Sequence, residues 1–266
     1  MATLTISRQH GSSGKEIGQE IAHEIGYKYV DREQILEDIR KKGQDWENWQ
    51  KEFEEHHPTI WERYDWSFRG FVALQQALIL DYAMKDNTVI MGRGGNFLLK
   101  DIPSVLKVRI EAPLDARIDH IQSRENVDSS TAALMIKKMD KESKGFIGTV
   151  YGADWNVHTY YDIIFNTAAQ SKNTVMASIK AAITEKEQYN TEEVKKMLKI
   201  KAAAAVVKAG IMTNSKFFIP TLDVRSSGDT IILRGVVHGP KEFKSVEDEA
   251  RLLAGNVPLK CELNYR

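Results

Sequence analysis

The chain has 266 residues, room for one large domain or two of ordinary size. Its 37 Lys and Arg balance its 37 Asp and Glu, so no net basic field points to nucleic acid or a membrane surface. A single cysteine, Cys261, excludes an internal disulfide framework and a cysteine-rich zinc site, and no apolar run has the length of a membrane span.

Leu4 to Ser7 is a short β-rich run that leads into a Gly/Ser loop. Ile17, Ile21, Ala22 and Ile25 then recur at helical spacing, and Gly26 ends the helix. "YKYVD" reads as a second short strand, and residues 32–84 read as mostly helical with a break near His57-Pro58. "NTVIMGRGG" is a buried strand entering a glycine-rich turn, and "VLKVRIEAP" is a strand stopped by Pro113. Residues 114–141 read as two helices, Leu114 to Arg124 and one opening near "DSSTAAL", with Ser129 or Ser130 as its cap. "YDIIFNT" is the last apolar strand of this part, followed by a helix from about Ser171 to Tyr189. Strands alternating with helices predict an α/β fold with a parallel sheet covered on both faces.

The pattern changes after Tyr189. "TEEVKKMLKIKAAAAVVKAGI" is one Ala-rich helix, "TLDVRSSGDTIILRGVV" two alternating runs joined by a turn, "SVEDEARLLAGN" a short helix and "PLKCELNYR" a closing strand. This order, α-β-β-α-β, predicts a small α+β domain at 190–266 after a larger domain at 1–189. The Ala/Val face of "IKAAAAVVKAGI" suits close packing, within that domain or across a homodimer interface.

The residues with the clearest chemistry are those of "QHGSSGK". A strand, a Gly/Ser loop and a helix with a lysine in its first turn form an anion site: backbone N–H groups converge, the helix dipole adds partial positive charge, and the lysine reaches the outer phosphates. Gly11, Ser12, Ser13, Gly14 and Lys15 are the candidate phosphate cradle. Gln9 stands where the usual pattern has Gly and is tolerated if its backbone avoids positive φ. Glu16 replaces the Ser or Thr whose hydroxyl ligates Mg²⁺. Its carboxylate is turned away, paired with a cation or linked to Mg²⁺, and the last is taken as the expectation.

"TISRQHGSSGKEIGQEIAHEIGYKYVDREQIL", "VIMGRGGNFLL", "VRIEAPLDARI" and "YYDIIFNT" resemble the cytidylate kinase-like family of nucleoside monophosphate kinases, over roughly residues 1–185. In that family the first strand runs into "SR", a Gly/Ser loop and a basic residue followed by "EI", so Glu16 fits this branch. The resemblance implies a P-loop kinase fold with a mobile lid, and ATP- and Mg²⁺-dependent phosphoryl transfer to a nucleoside monophosphate, typically CMP or dCMP. It implies that Arg93 of "GRGG" meets the acceptor phosphate and that Asp31 and Arg32 of "YVDREQ" begin the acceptor contacts. It places the lid at "KKMDKESKGF", where Asp140, Lys141 and Lys144 stand in a stretch that is arginine-rich in true cytidylate kinases. Those enzymes also have an acid after the "GRGG" arginine, where this chain has Gly94. Gly94, Glu16 and the lysine lid support a competing reading, a non-catalytic nucleotide-sensing module with a partner-binding C-terminal domain.

The C-terminal segment resembles a BON domain in its order of elements, with "ILRGVVHGP" and "GNVPLKCELNYR" as the matching runs, which implies a binding or assembly module. Trp46, Trp49, Phe53, Trp61, Tyr64, Trp66, Phe68 and Phe71 read as helix-packing residues, with a nucleobase platform as the alternative. His56-His57 has no partners at metal-ligand spacing. The expected partners are therefore small nucleotides, without nucleic acid or membrane insertion, in the cytoplasm.

Overall fold

The computed structural model describes residues 2–41 and 64–265. The chain runs through β1 (Thr3–Arg8), α1 (Gly14–Ile25), β2 (Lys28–Val30), α2 (Arg32–Arg40), α3 (Trp66–Met84), β3 (Thr88–Met91), the short α4 (Gly95–Leu98) and β4 (Val105–Glu111). It continues through α5 (Leu114–Glu125), α6 (Ser129–Tyr151), a 3₁₀ turn (His158–Tyr160), β5 (Ile163–Asn166) and α7 (Lys172–Glu187). The last elements are α8 (Glu192–Thr213), β6 (Asp223–Ser227), β7 (Thr230–Val237), α9 (Pro240–Ala254) and β8 (Leu259–Tyr265).

Two compact units result. The first holds the residues up to Gln34 together with Lys85–Asn190. Its five strands are all parallel, in the order β2-β3-β1-β4-β5, as the alternating pattern predicts. β1 is central because its side chains are buried on both faces. Leu4 and Ile6 join Val89, Met91, Leu106, Val108 and Ile110, and Ile17, Ile21 and Ile179 of α1 and α7 cover them. Burying such a run of branched side chains is the main stabilising term of this unit, about 1.5–3 kcal/mol for each one fully enclosed. The opposite face of β1 carries Thr5 and Ser7, and Thr5 Oγ1 donates to Leu106 O at 3.3 Å. Ser7 and Arg8 thus end a rigid central strand at its carboxyl end, where parallel α/β sheets place their ligands.

The second unit holds the described residues of Ile35–Met84 together with those from Thr191 on. The chain passes from one unit to the other at Asn190–Thr191, and α3 also belongs to the second unit. α3 is apolar nearly all round, packs along α8 and is tied to the segment before β6 by Arg69, which donates to Pro220 O at 2.5 Å and Leu222 O at 3.0 Å. The order α8-β6-β7-α9-β8 is the expected α-β-β-α-β, with β6 antiparallel and β8 parallel to β7. Ala202, Ala204, Val207 and Ala209 of α8 are buried, so the Ala/Val face is used within the unit.

Local expectations fared unevenly. The cap of α6 is Asp128, which accepts Thr131 N–H at 2.8 Å, rather than Ser129 or Ser130, and the helix continues to Tyr151. A carboxylate at 128 reaches the Thr131 N–H and the hydroxyls of Ser130 and Thr131 at once, so it is the better cap. Phe68 and Phe71 are buried in α3 and Trp66 meets Phe218 edge-on at 5.4 Å, as packing residues do. Trp46, Trp49, Phe53, Trp61 and His56-His57 lie outside the described residues. Among the described residues no helix is long and apolar enough to cross a membrane.

Candidate active site

The loop from Gln9 to Lys15 is closed by its own hydrogen bonds. Ser12 N–H donates to Gln9 O at 3.3 Å, and the buried Ser12 hydroxyl donates to Gln9 O at 2.8 Å and lies 3.1 Å from Ile110 O. Ser12 therefore shapes the loop from inside. Gln9 is not among the residues with left-handed backbone, so its departure from Gly is free of strain, and its side-chain oxygen accepts Ala112 N–H at 3.1 Å. Gly11 has φ +83°, and a Cβ there would lie 2.9 Å from Arg117 O. Ser13 adopts a left-handed conformation (φ 58°) and gives α1 no side-chain cap, unlike Asp128, Ser171 and Thr191 at α6, α7 and α8. The first-turn N–H groups of α1 have no intrahelical acceptor and are the donors an anion needs.

Lys15 lies half-exposed in that turn, 3.7 Å from Asp31 Oδ2 and 3.8 Å from Glu33 Oε2. Exposed pairs of this length are worth under about 1 kcal/mol, so the ammonium is only weakly held by these carboxylates. Asp31 also caps α2 through Gln34 N–H at 3.2 Å. Burial opposes its charge, but bonds with Glu33 and Gln34 N–H and the nearby Lys15 hold its carboxyl below the ordinary value. Arg32 begins α2 beside it, half-buried.

Glu16 is held by Arg124 and His120. Arg124 NH1 donates to Glu16 Oε1 at 3.1 Å and His120 Nε2 lies 3.4 Å from the same oxygen. Burial again opposes the charge, and the backbone N–H, Arg124 and His120 outweigh it to keep the carboxyl below its usual range. Asp140 reaches the loop as well. Its Oδ1 accepts His10 N–H at 2.9 Å and its Oδ2 accepts Arg117 at 2.6 Å, while Arg117 also donates to His10 O at 3.2 Å. The Asp140 carboxylate is thus clamped on this loop.

The second glycine turn follows β3, whose pairing with β1 makes the two turns neighbours. Gly92, Arg93 and Gly94 all take positive φ (70°, 54° and 69°). Arg93 lies 5.7 Å over the Phe146 ring of α6, and Tyr151 OH donates to Arg93 O at 3.4 Å. Lys141 is exposed on α6, and Lys144 lies 3.8 Å from Asp154. The structure therefore gathers Lys15, Asp31 and Arg32 at one end of the loop and Asp140 at the other, with Arg93 on the adjoining turn. Among the described residues no group of three or more His, Cys, Asp or Glu side chains could hold a metal ion.

Residues 3–169 match the model of the cytidylate kinase-like family. The chain belongs to that family. A cytidylate kinase from Pyrococcus horikoshii is 29% identical over 181 residues, covering 68% of this chain and 87% of that protein. One from Pyrococcus furiosus is 28% identical over the same length. A protein from Eubacterium ventriosum of undescribed activity shares the fold, with a TM-score of 0.56 at 22% identity, over 69% of this chain and 99% of its own.

For a cytidylate kinase-like chain, the contact at Gly94 is the most telling. A Cβ on Gly94 would lie 2.2 Å from Tyr151 Cε2, so the tyrosine ring fills the space a side chain at 94 would take. Tyr151 stacks on Phe97 at 5.6 Å and meets Phe146 edge-on at 6.4 Å, which walls the turn with aromatic rings. The segment after α6 is anchored by Arg109, fully buried in β4, whose guanidinium lies 3.9 Å from the Trp155 ring centre and donates to Trp155 O and Glu111. Sequence reasoning passed over Arg117, His120 and Arg124. Arg117, His120 and Arg124 are spaced three and four apart on α5, a stripe that the helical period puts on one face. That spacing was the available signal.

Proposed function

We propose that this chain transfers the terminal phosphoryl group of ATP to a nucleoside monophosphate. The observation that carries the reading is the uncapped, left-handed entry into α1, with Lys15 loosely held beside it, next to the Gly92–Gly95 turn. The donor fits the loop because the first-turn N–H groups of α1 lack acceptors, while Gly11 lets the loop pack closely against Arg117. Lys15 leaves Asp31 and Glu33 for the outer phosphates, and Arg93 orients the acceptor phosphate, with Asp31 and Arg32 as further acceptor contacts. The bond between the γ-phosphorus and the β,γ-bridging oxygen breaks, and its electron pair stays on ADP. An acceptor phosphate oxygen supplies the pair for the new bond. That oxygen carries no proton in the dianion, so the step needs no general base. Lys141 and Lys144 add positive charge from α6, without the bidentate fork of arginine.

Magnesium, when bound, would supply charge neutralisation for the phosphates. The carboxylate of Glu16 is already shared by Arg124 and His120, so Glu16 would help to hold the ion only indirectly. Two features favour catalysis over a sensing module: membership of the family over most of the first unit, and the intact Lys15 and Arg93. CMP and dCMP are the first acceptors to assay, because the relatives are cytidylate kinases. The C-terminal α-β-β-α-β segment serves as a binding or assembly module in a cytoplasmic protein, as its BON-like order implies. ADP formation with ATP, Mg²⁺ and a panel of nucleoside monophosphates tests the central reading. Acceptor-dependent ADP supports it; ATP binding without any acceptor-dependent ADP overturns it in favour of nucleotide sensing.

A further inference from the structure

Arg8 is the last residue of β1, immediately before the phosphate loop. Its side chain runs between the two glycine turns. A Cβ at Gly14 would lie 2.6 Å from Arg8 Cβ and 3.0 Å from its Cγ. A Cβ at Gly92 would lie 3.1 Å from Arg8 NH1 and 3.7 Å from its Cζ. The stem thus passes the start of α1 and the guanidinium ends at the second turn. Both glycines clear its path, and any side chain at 14 would block it.

The guanidinium is half-buried, and among the described residues it makes no side-chain hydrogen bond or salt bridge. Burial lowers its pKa, while Tyr29, Glu33, Asp140 and Asp31 pull it back up, so it remains a cation. Tyr29 adds a hydroxyl that is enclosed and has no hydrogen-bond partner among the described residues. Burial, then Asp31, raises the pKa of that hydroxyl, which keeps it a neutral donor. An enclosed arginine surrounded by carboxylates ordinarily pairs with one of them. Here Asp31 is engaged by Lys15 and Gln34, and Asp140 by Arg117 and His10. Arg8 is left with its fork open, between the place of the donor phosphates and the place of the acceptor phosphate.

We propose that Arg8 is a catalytic residue whose guanidinium bridges the phosphoryl group in transfer, touching both the donor γ-phosphate and the acceptor phosphate. This rests on the kinase reading above. It explains how a chain with lysines on α6 still presents a planar cationic fork to the reacting group: the fork comes from the strand beneath the site. Charge develops on the equatorial oxygens and on the bridging oxygen of the leaving ADP, and a preorganised arginine stabilises it without reorganisation.

The test compares wild type, Arg8→Lys and Arg8→Ala, with thermal melting to confirm folding. Turnover is measured with ATP and the best acceptor. Calorimetry measures binding of ATP alone and of adenosine-pentaphospho-cytidine, which spans both sites. In Arg8→Lys, kcat is expected to fall about 100-fold with little change in ATP affinity. The bridging ligand should lose about tenfold in affinity. Added guanidinium should restore part of the turnover of Arg8→Ala, which a merely structural role does not predict. Unchanged kcat and unchanged affinity for the bridging ligand in Arg8→Lys overturn the proposal. So does an equal loss for ATP and the bridging ligand, which would make Arg8 a support of the loop. So does a wild-type protein that binds the bridging ligand no tighter than ATP. If wild type turns over no acceptor, the kinase reading fails separately, and the two binding constants still decide the role of Arg8.

Discussion

The two glycine turns of the first unit are built alike and finished differently. Each follows a buried parallel strand, each enters a helix through left-handed residues, and neither helix has a side-chain cap. The turn after β1 stays open: its lysine is half-exposed and only loosely paired. The turn after β3 is closed by Tyr151, which packs where a side chain at Gly94 would stand. The same backbone device thus serves two ends. An open turn leaves its first-turn N–H groups and a half-exposed lysine available to an anion, as the proposed donor site requires. A turn walled by Phe97, Phe146 and Tyr151 restricts what can approach Arg93.

The sharpest way to break this contrast is at Lys15. Lys15→Ala should weaken ATP binding about 10- to 100-fold, the worth of a hydrogen bond to a charged group, and leave folding intact. Unchanged ATP affinity by calorimetry would make the first turn a plain strand-to-helix connection. At the second turn, Gly94→Ala should cost about 1–3 kcal/mol of stability, from overpacking against Tyr151 and from strain at positive φ. Gly94→Ala with Tyr151→Ala should recover the packing part of that loss in a double-mutant cycle; additive losses would mean that the ring does not close the turn.

Smaller effects divide donor from acceptor. Arg93→Lys should raise the acceptor KM about tenfold while ATP binding changes less, because the bidentate geometry is lost. Equal losses for both substrates would erase the distinction between the turns. Glu16→Ala should weaken the magnesium dependence of ATP binding by a few-fold at most, since its carboxylate is shared with Arg124 and His120. A magnesium titration identical to wild type would leave Glu16 as a structural ion pair.

The smallest effect is one of pH. Burial, with Arg124 and Arg8, depresses His10 below its ordinary value of 6.5, so the folded chain keeps the ring neutral. Below 6.5 the unfolded chain takes up a proton that the native chain does not, so stability present above that value is lost as pH falls. Melting temperatures of His10→Asn should decline less than those of wild type between about pH 7 and pH 5. Parallel declines would place His10 in a solvated position.

Much of the first unit was legible in the sequence. The alternation of apolar strands and periodic helices predicts the parallel sheet, and the Gly/Ser run before Lys15 predicts the loop, because both signals lie between near neighbours in the chain. The cap at Asp128 was misjudged by one or two residues, since Asp, Ser and Ser in succession all have the chemistry of a cap and only geometry selects among them. The chain grouping was harder. α3 reads as part of the first domain by position, yet a helix apolar on nearly every side needs a partner helix, and α8 is that partner.

By itself the sequence determined the elements, the open loop with its lysine and the second glycine turn. Periodicity and turn chemistry act over a few residues. The tertiary structure decided who pairs with whom. Glu16 meets Arg124 across 108 positions and His10 meets Asp140 across 130. Tyr151 closes Gly94, and Arg8 lies between the turns because β1 pairs with β3. Those contacts follow from strand order and helix placement, which depend on how all the apolar faces are buried together, and no local stretch carries that information.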